Sequence, residues 1–156
     1  MNSGTAGLIL HVDEEQLVRA STALLLRAEG YGASSAANGA EAFQLASGGL
    51  HPDVLIVDFN LGQQLDGAEI AEHIGRIVGY APPIIMLTGD VGHAKFPRMV
   101  NVVVWLTRKP VNPQLLLAAL TSLVQLSRDS QVAFMMGLRR LMCQPAKRPT
   151  ARSSLS

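Results

Sequence analysis

Cysteine, aromatic side chains and long apolar runs are all scarce in this chain of 156 residues, and each scarcity excludes something. The single cysteine, Cys143, has no partner for an internal disulfide, and no Cys/His cluster of metal-binding spacing accompanies it. One Trp, two Tyr and four Phe leave the interior to aliphatic side chains. The longest aliphatic runs, such as "VVVWL" and "LLLAAL", fall far short of the roughly 20 residues that cross a bilayer, so no membrane span is expected. No signal peptide is visible, and a reducing cytoplasm fits these absences best. Acidic residues are missing from one region altogether: residues 1–129 carry eight basic and twelve acidic side chains, residues 130–156 five basic and none acidic. So sparse a basic tail is more often a solvated terminus than a nucleic-acid site, and no nucleic-acid partner is expected.

What is present is 48% hydrophobic and 16% charged, the composition of a globular protein of one domain with some thirty residues to spare. Short aliphatic runs alternate with helical patterns, as in a parallel sheet covered on both faces. "GLILHV" (7–12) is the first strand. A helix over about 15–29 follows, with Leu17, Leu24 and Leu25 or Ala28 on one side and Gly30 as its stop. "GASSA" is a weak second strand, Asn38-Gly39 breaks the chain, and "AEAFQLAS" forms a short helix. "DVLIVD" is the third strand, "GAEIAEHIGRIV" a helix with Ile70, Ile74 and Ile77 in register, and "PIIMLT" the fourth strand. Gly92 and Pro97 leave residues 89–101 irregular. "VVVWLT" is the fifth strand, and Asn112 and Pro113 open a helix as N-cap and first residue, with Leu116, Leu120 and Leu123 as its stripe. A second helical pattern covers about 130–142, with Phe134, Met135, Leu138, Leu141 and Met142 on one face.

"DVLIVDFN" raises the functional question, because a fully aliphatic strand ends on Asp58, and an unpaired buried charge is costly. In open parallel α/β sheets ligands bind outside the carboxyl ends of the strands. Strand one ends in Asp13-Glu14, strand three in Asp58, strand four in Thr88, and strand five leads to Lys109. Taken singly, each is more often a cap or a solvated group. Together the three carboxylates repel one another unless a cation lies between them. Oxygen ligands select a hard cation, and Mg2+ takes one or two carboxylates together with phosphate oxygens. Phosphoryl transfer then finds its parts here: Asp58 to attack, Glu14 with Asp58 for the metal, Thr88 and Lys109 for the phosphoryl oxygens.

Over roughly residues 6–126 the chain resembles a receiver domain of two-component signalling. The matching pieces are "HVDEE", "LIVDFN", Asp66-Gly67 before the third helix, "MLTGD" and "RKPV". The resemblance implies a flavodoxin-like (βα)5 doubly wound sheet of strand order 2-1-3-4-5, here with an extra C-terminal helix, and a cis bond between Lys109 and Pro110. It implies that a histidine kinase or histidine phosphotransfer protein phosphorylates Asp58. Asp13, Glu14, Asp58 and the backbone carbonyl of Asn60 would hold Mg2+, and Thr88 and Lys109 would bind the phosphoryl oxygens. It further implies a switch in which the residue three before the lysine follows Thr88. That residue is Leu106, where the family usually has an aromatic ring, and Trp105 should face the other side of the strand. The loop "NLGQQLDG" looks one residue longer than the commonest form. With Leu106 and "RKPV", it resembles receivers of hybrid sensor histidine kinases more than those of transcription factors.

The expected divisions are a receiver over 6–127, a helical extension over 128–143 and a tail over 144–156, Pro/Ser/basic and without fixed structure. The stripe of the extension suits a partner-binding or dimerising helix, or one that packs back on its own domain or frays, and Gly137 weighs toward the latter two. No output domain is visible, so signalling would pass through protein contacts. Two other readings compete: a pseudo-receiver that binds partners without phosphorylation, and a haloacid-dehalogenase-like phosphohydrolase. The second wants an acid two residues after Asp58, and Asn60 stands there.

Overall fold

The computed structural model describes residues 4–59, 67–89 and 104–142. Five strands form one parallel sheet in the order β2-β1-β3-β4-β5. They are β1 (Leu8–Val12), β2 (Gly32–Ala36), β3 (Val54–Asp58), β4 (Ile84–Thr88) and β5 (Val104–Arg108). Four helices lie among the described residues: α1 (Gln16–Ala28), α2 (Gly39–Ser47), α3 (Gly67–Val78) and α4 (Pro113–Met142). The expected irregular segment, apart from Gly89, lies outside the described residues, as do Asn60, Asp66, Cys143 and the tail.

Strand alternation divides the interior in two. Leu10, Val12, Leu55, Val57, Ile84 and Met86 face one core with Ile70 and Ile74 of α3. Ile9, Ile56, Ile85 and Leu87 face the other with Leu26 of α1 and Leu116 and Leu120 of α4. β3 and β4 are buried along their whole length, which is why both read as unbroken aliphatic runs. Each fully buried Ile or Leu contributes roughly 1.5–3 kcal/mol, so the strand that ends in Asp58 is firmly anchored. Trp105 packs on the second core and Leu106 on the first, as the alternation predicts.

Local chemistry sets most boundaries. Asn38 caps α2 by accepting from the Glu41 amide, while the Glu41 carboxylate accepts from the Ala37 amide. Asn112 Oδ1 accepts from the Gln114 and Leu115 amides, which confirms it as the cap of α4. Gly30 stops α1 with a φ of 86°.

Two helical expectations need correction. The inward row of α1 is not Leu17 and Leu24, which are 82% and 70% exposed. Leu26 is buried instead, with Val18, Arg19, Thr22, Ala23 and Leu25 half-buried. Leu26 and Leu25 pack on the second core from a face shared with Val18 and Thr22, which leaves Leu17 and Leu24 outward, and the half-buried Arg19 donates its guanidinium to the carbonyls of Asp13 and Glu14. The second correction concerns the C-terminus. The pattern over 130–142 is not a separate helix but the continuation of α4, which runs unbroken for 30 residues. No Gly or Pro falls between Pro113 and Gly137 to stop it. Across the expected break, Gln125 donates to Asp129 and Gln131 to Ser127, both one helical turn apart.

Candidate functional site

Every side chain of the candidate site stands at or just beyond the carboxyl end of a strand. Asp13 follows β1, and its amide donates to the Ala36 carbonyl at 3.1 Å. Asp58 closes β3 and is only 6% exposed. Thr88 closes β4 and is buried. Lys109 follows β5, its amide donating to the Thr88 carbonyl at 2.9 Å, and the Lys109–Pro110 bond is cis.

These elements bring one ammonium between two carboxylates. Lys109 Nζ donates to Asp58 Oδ2 at 2.7 Å and lies 3.6 Å from Asp13 Oδ2. Burial pulls the ammonium down, but the hydrogen bond to Asp58 and the charges of Asp58, Asp13 and Glu15 outweigh it and hold Lys109 above its ordinary value. Asp13 is fully buried; its Oδ1 accepts from the Glu15 amide, whereas its Oδ2 has no hydrogen-bond partner. An orphaned buried carboxylate oxygen beside a second carboxylate is a donor set for a hard cation. Glu14 is exposed at the rim, and among the described residues no three acidic or histidine side chains converge as a closed cage. Two inner carboxylates with a rim acid fit Mg2+, which keeps several of its waters, better than a metal that strips them.

Three contributors escape sequence reading. His11 lies in β1 two residues before Asp13, hence on the same side of the strand, with Nε2 at 3.8 Å from Asp13 Oδ2. It is buried with neither ring nitrogen hydrogen-bonded. Burial pushes its imidazole down to about 4, with the Asp13 charge opposing and the Lys109 and Arg19 charges assisting. Strand alternation could have found it. Arg19 is the second: its Nη1 donates to the carbonyl oxygens of Asp13 at 2.6 Å and Glu14 at 2.9 Å and so holds the acidic turn against α1. Gly67 is the third, because the Asp66-Gly67 pair in the sequence does not say why this position needs glycine. A Cβ there would lie 2.9 Å from the Asp58 carbonyl oxygen, so α3 can begin this close to Asp58 only with glycine.

Thr88 lies two residues beyond Met86, on the side of the sheet that faces the first core. Leu106, registered against Met86, packs on that same side. The predicted pair therefore shares a face, with an aliphatic side chain where a ring was expected. Beside Lys109 a groove of about 710 Å3 runs between α1 and α4. Val18, Leu25, Pro110, Val111 and Leu116 line it, with Glu15 and Lys109 among its polar groups.

A model of the response regulator receiver domain matches residues 9–121, a span that holds all of these side chains. The chain belongs to that family. The receiver is a domain of two-component signalling, and its strand order and cis Lys109–Pro110 bond are those the resemblance implied. Solved structures agree. The receiver is 26% identical, with a TM-score of 0.66, to the N-terminal domain of a response regulator/sensory box/GGDEF protein of Carboxydothermus hydrogenoformans, covering 79% of this chain and 98% of that one. It is 28% identical, with a TM-score of 0.62, to the receiver domain of the hybrid histidine kinase CckA, over 76% and 99% of the two chains. It is 27% identical, with a TM-score of 0.62, to a chemotaxis protein of Vibrio cholerae, over 75% and 98%. No curated protein sequence matches the chain. Among the described residues no helix of the receiver is long and apolar enough to cross a membrane.

Proposed function

We propose that this receiver takes a phosphoryl group onto Asp58 from the phosphohistidine of a histidine kinase or a histidine phosphotransfer protein. The observation that carries the reading is the Lys109 ammonium at 2.7 Å from Asp58 Oδ2, with Asp13 Oδ2 left without a hydrogen-bond partner beside it. A carboxylate oxygen of Asp58 attacks phosphorus as the bond from phosphorus to the donor's imidazole nitrogen breaks, and that nitrogen leaves with the bonding pair. Lys109, already paired with Asp58, follows the charge onto the transferred oxygens. Thr88, at the end of the neighbouring strand, supplies a hydroxyl donor to the same group.

Asp13, Glu14 and Asp58 would hold Mg2+, with the Asn60 carbonyl as a further ligand. When bound, the metal neutralises charge that develops on the equatorial oxygens. The orphaned oxygen of Asp13 and the oxygen-only donors support this choice. Arg19 keeps the acidic turn in place, and Gly67 lets α3 close over the Asp58 backbone. The groove between α1 and α4 leads to Lys109 and has the apolar walls that would seat a helix of the donor. Signalling then proceeds by altered contacts, with Thr88 and Leu106 as the moving pair and no chemistry beyond slow loss of the phosphoryl group.

The test is intact-mass measurement after incubation with acetyl phosphate and Mg2+. Wild type should gain one phosphoryl adduct, removed by EDTA pretreatment and absent from Asp58→Asn. No adduct under conditions that label another receiver would reject the reading in favour of a pseudo-receiver, the alternative to which Leu106 lends some weight.

A further inference from the structure

His11 is the buried polar group for which the phosphotransfer reading has no task. It is 2% exposed, and neither of its ring nitrogens has a hydrogen-bond partner. Its neighbours in register across the sheet are Ser35 of β2 and Ile56 of β3. A valine or isoleucine would fill this place in an aliphatic strand and leave no donor or acceptor unsatisfied. A buried polar group in that state calls for a reason.

The reason lies in the carboxylate two residues on. Arg19 Nη1 donates to the Asp13 carbonyl at 2.6 Å, and the Glu15 amide donates to Asp13 Oδ1 at 2.9 Å, so the backbone and one carboxylate oxygen are held. The other oxygen, Oδ2, has no hydrogen-bond partner but two nitrogens close by, Lys109 Nζ at 3.6 Å and His11 Nε2 at 3.8 Å. Lys109 makes its short contact to Asp58, at 2.7 Å. Once Asp58 carries a phosphoryl group the ammonium follows the transferred oxygens, and His11 is the nitrogen that stays beside Asp13. A carboxylate oxygen has lone pairs for a cation and for a donor at once, and carboxylates that ligate metals are themselves hydrogen-bonded. The charge of the donor matters. A second ammonium or guanidinium beside Asp13 would repel a divalent cation. Burial keeps the imidazole neutral at pH 7, with one N–H to give and no charge to add.

We propose that His11 is a positioning residue for Asp13: as Lys109 turns to the phosphoryl group, His11 Nε2–H donates to Asp13 Oδ2 and keeps that carboxylate in place beside the cation. The inference rests on Asp58 being the phosphoacceptor. The approach required is about 0.8 Å, from 3.8 Å to an ordinary hydrogen-bond length, which a small rotation of the ring supplies. The unsatisfied imidazole is then a property of the resting receiver, and its cost there biases the chain toward the phosphorylated state.

Beryllofluoride with Mg2+ stands in for the phosphoryl group, and calorimetric titration of the full chain reads its affinity. His11→Val should bind it about 10-fold or more weakly than wild type, as expected for a lost hydrogen bond to a charged group. The loss for Mg2+ alone should be smaller, because Lys109 still attends Asp13 there. His11→Gln, which keeps a neutral donor, should bind more tightly than His11→Val. In ring 15N spectra the His11 Nε2 proton should move downfield when beryllofluoride joins Mg2+. The urea stability of His11→Val, expected to exceed that of wild type, separates loss of binding from loss of fold. Equal losses with and without beryllofluoride, or a proton on Nδ1 rather than Nε2 in the loaded receiver, would overturn the proposal. Undiminished beryllofluoride affinity in His11→Val would overturn it too and leave the phosphoacceptor reading standing, whereas a wild type that binds no beryllofluoride would remove both.

Discussion

Lys109 Nζ touches Asp58 Oδ2 at 2.7 Å and stands 3.6 Å from Asp13 Oδ2, so one ammonium holds two buried carboxylates together at the carboxyl edge of the sheet. Replacing it by Met leaves the two acids facing each other with no cation. A charge-assisted hydrogen bond of this kind contributes roughly 1.5–3 kcal/mol. Lys109→Met should therefore slow acetyl phosphate labelling of Asp58 by about 10- to 100-fold. Millimolar Mg2+ should raise the melting temperature of the variant more than that of wild type, since the metal takes over the missing charge. Equal shifts in a calorimetric comparison would remove Lys109 from this role.

His11 should prove a liability to the fold. Its two ring nitrogens are buried without hydrogen bonds, and leaving such a group unsatisfied costs about 1–3 kcal/mol. His11→Val should gain stability on that order in urea at pH 7. The pH dependence has a definite sign. The folded imidazole, at about 4, binds its proton less readily than the free one at 6.5. The unfolded chain is therefore protonated first, and stability present above pH 6.5 is lost as pH falls toward 4, by at most on the order of 3 kcal/mol. In metal-free buffer the difference in stability between His11→Val and wild type should widen over that interval, and a constant difference would contradict the burial argument.

Gly67 is required by proximity rather than by backbone conformation. A methyl group there meets the Asp58 carbonyl at 2.9 Å and Val57 Cγ1 at 3.0 Å, so α3 or the end of β3 must shift. Gly67→Ala should cost about 1–3 kcal/mol and slow labelling of Asp58. Gly4→Ala, which has open space around it, should change neither. Urea titrations and labelling rates of both variants provide the comparison.

Tyr80 locks the turn before β4 to the one before β3, its hydroxyl donating to the Pro52 carbonyl at 2.6 Å. Burial, aided by the Asp53 charge, pushes its phenol up to about 12. Here the folded state holds the proton longer than the unfolded one, so stability is intact below pH 10 and declines as pH rises through 12. Ultraviolet titration should show a phenol ionising near pH 12 that is missing from Tyr80→Phe, and the variant's stability should fall less steeply across that range.

The strand order followed from the family resemblance alone; the buried central strands, the cap at Asn112 and the positions of Asp13, Asp58, Thr88 and Lys109 were legible in the sequence. Each rests on a local rule: unbroken aliphatic runs for doubly covered strands, polar residues where the runs stop, and Asn-Pro at a helix start. Period-two alternation was enough to separate Trp105 from Leu106. Tertiary structure decided the rest, because those features depend on groups far apart in the chain or on competition between local choices. The inward face of α1 is the one that carries Val18, Thr22, Leu25 and Leu26, and Leu17 and Leu24, which periodicity places inside, fall off it once the helix docks on the second core. The pairing of Asp58 with Lys109 spans 51 residues, and the closeness of Gly67 to the Asp58 carbonyl arises only when α3 docks. The length of α4 lay between the two. Its sequence holds two helical patterns and no residue that separates them, and only the folded chain, with Ser127 buried and Arg128 tied to Thr5 and Asp53, shows that they are one helix leaving the sheet behind.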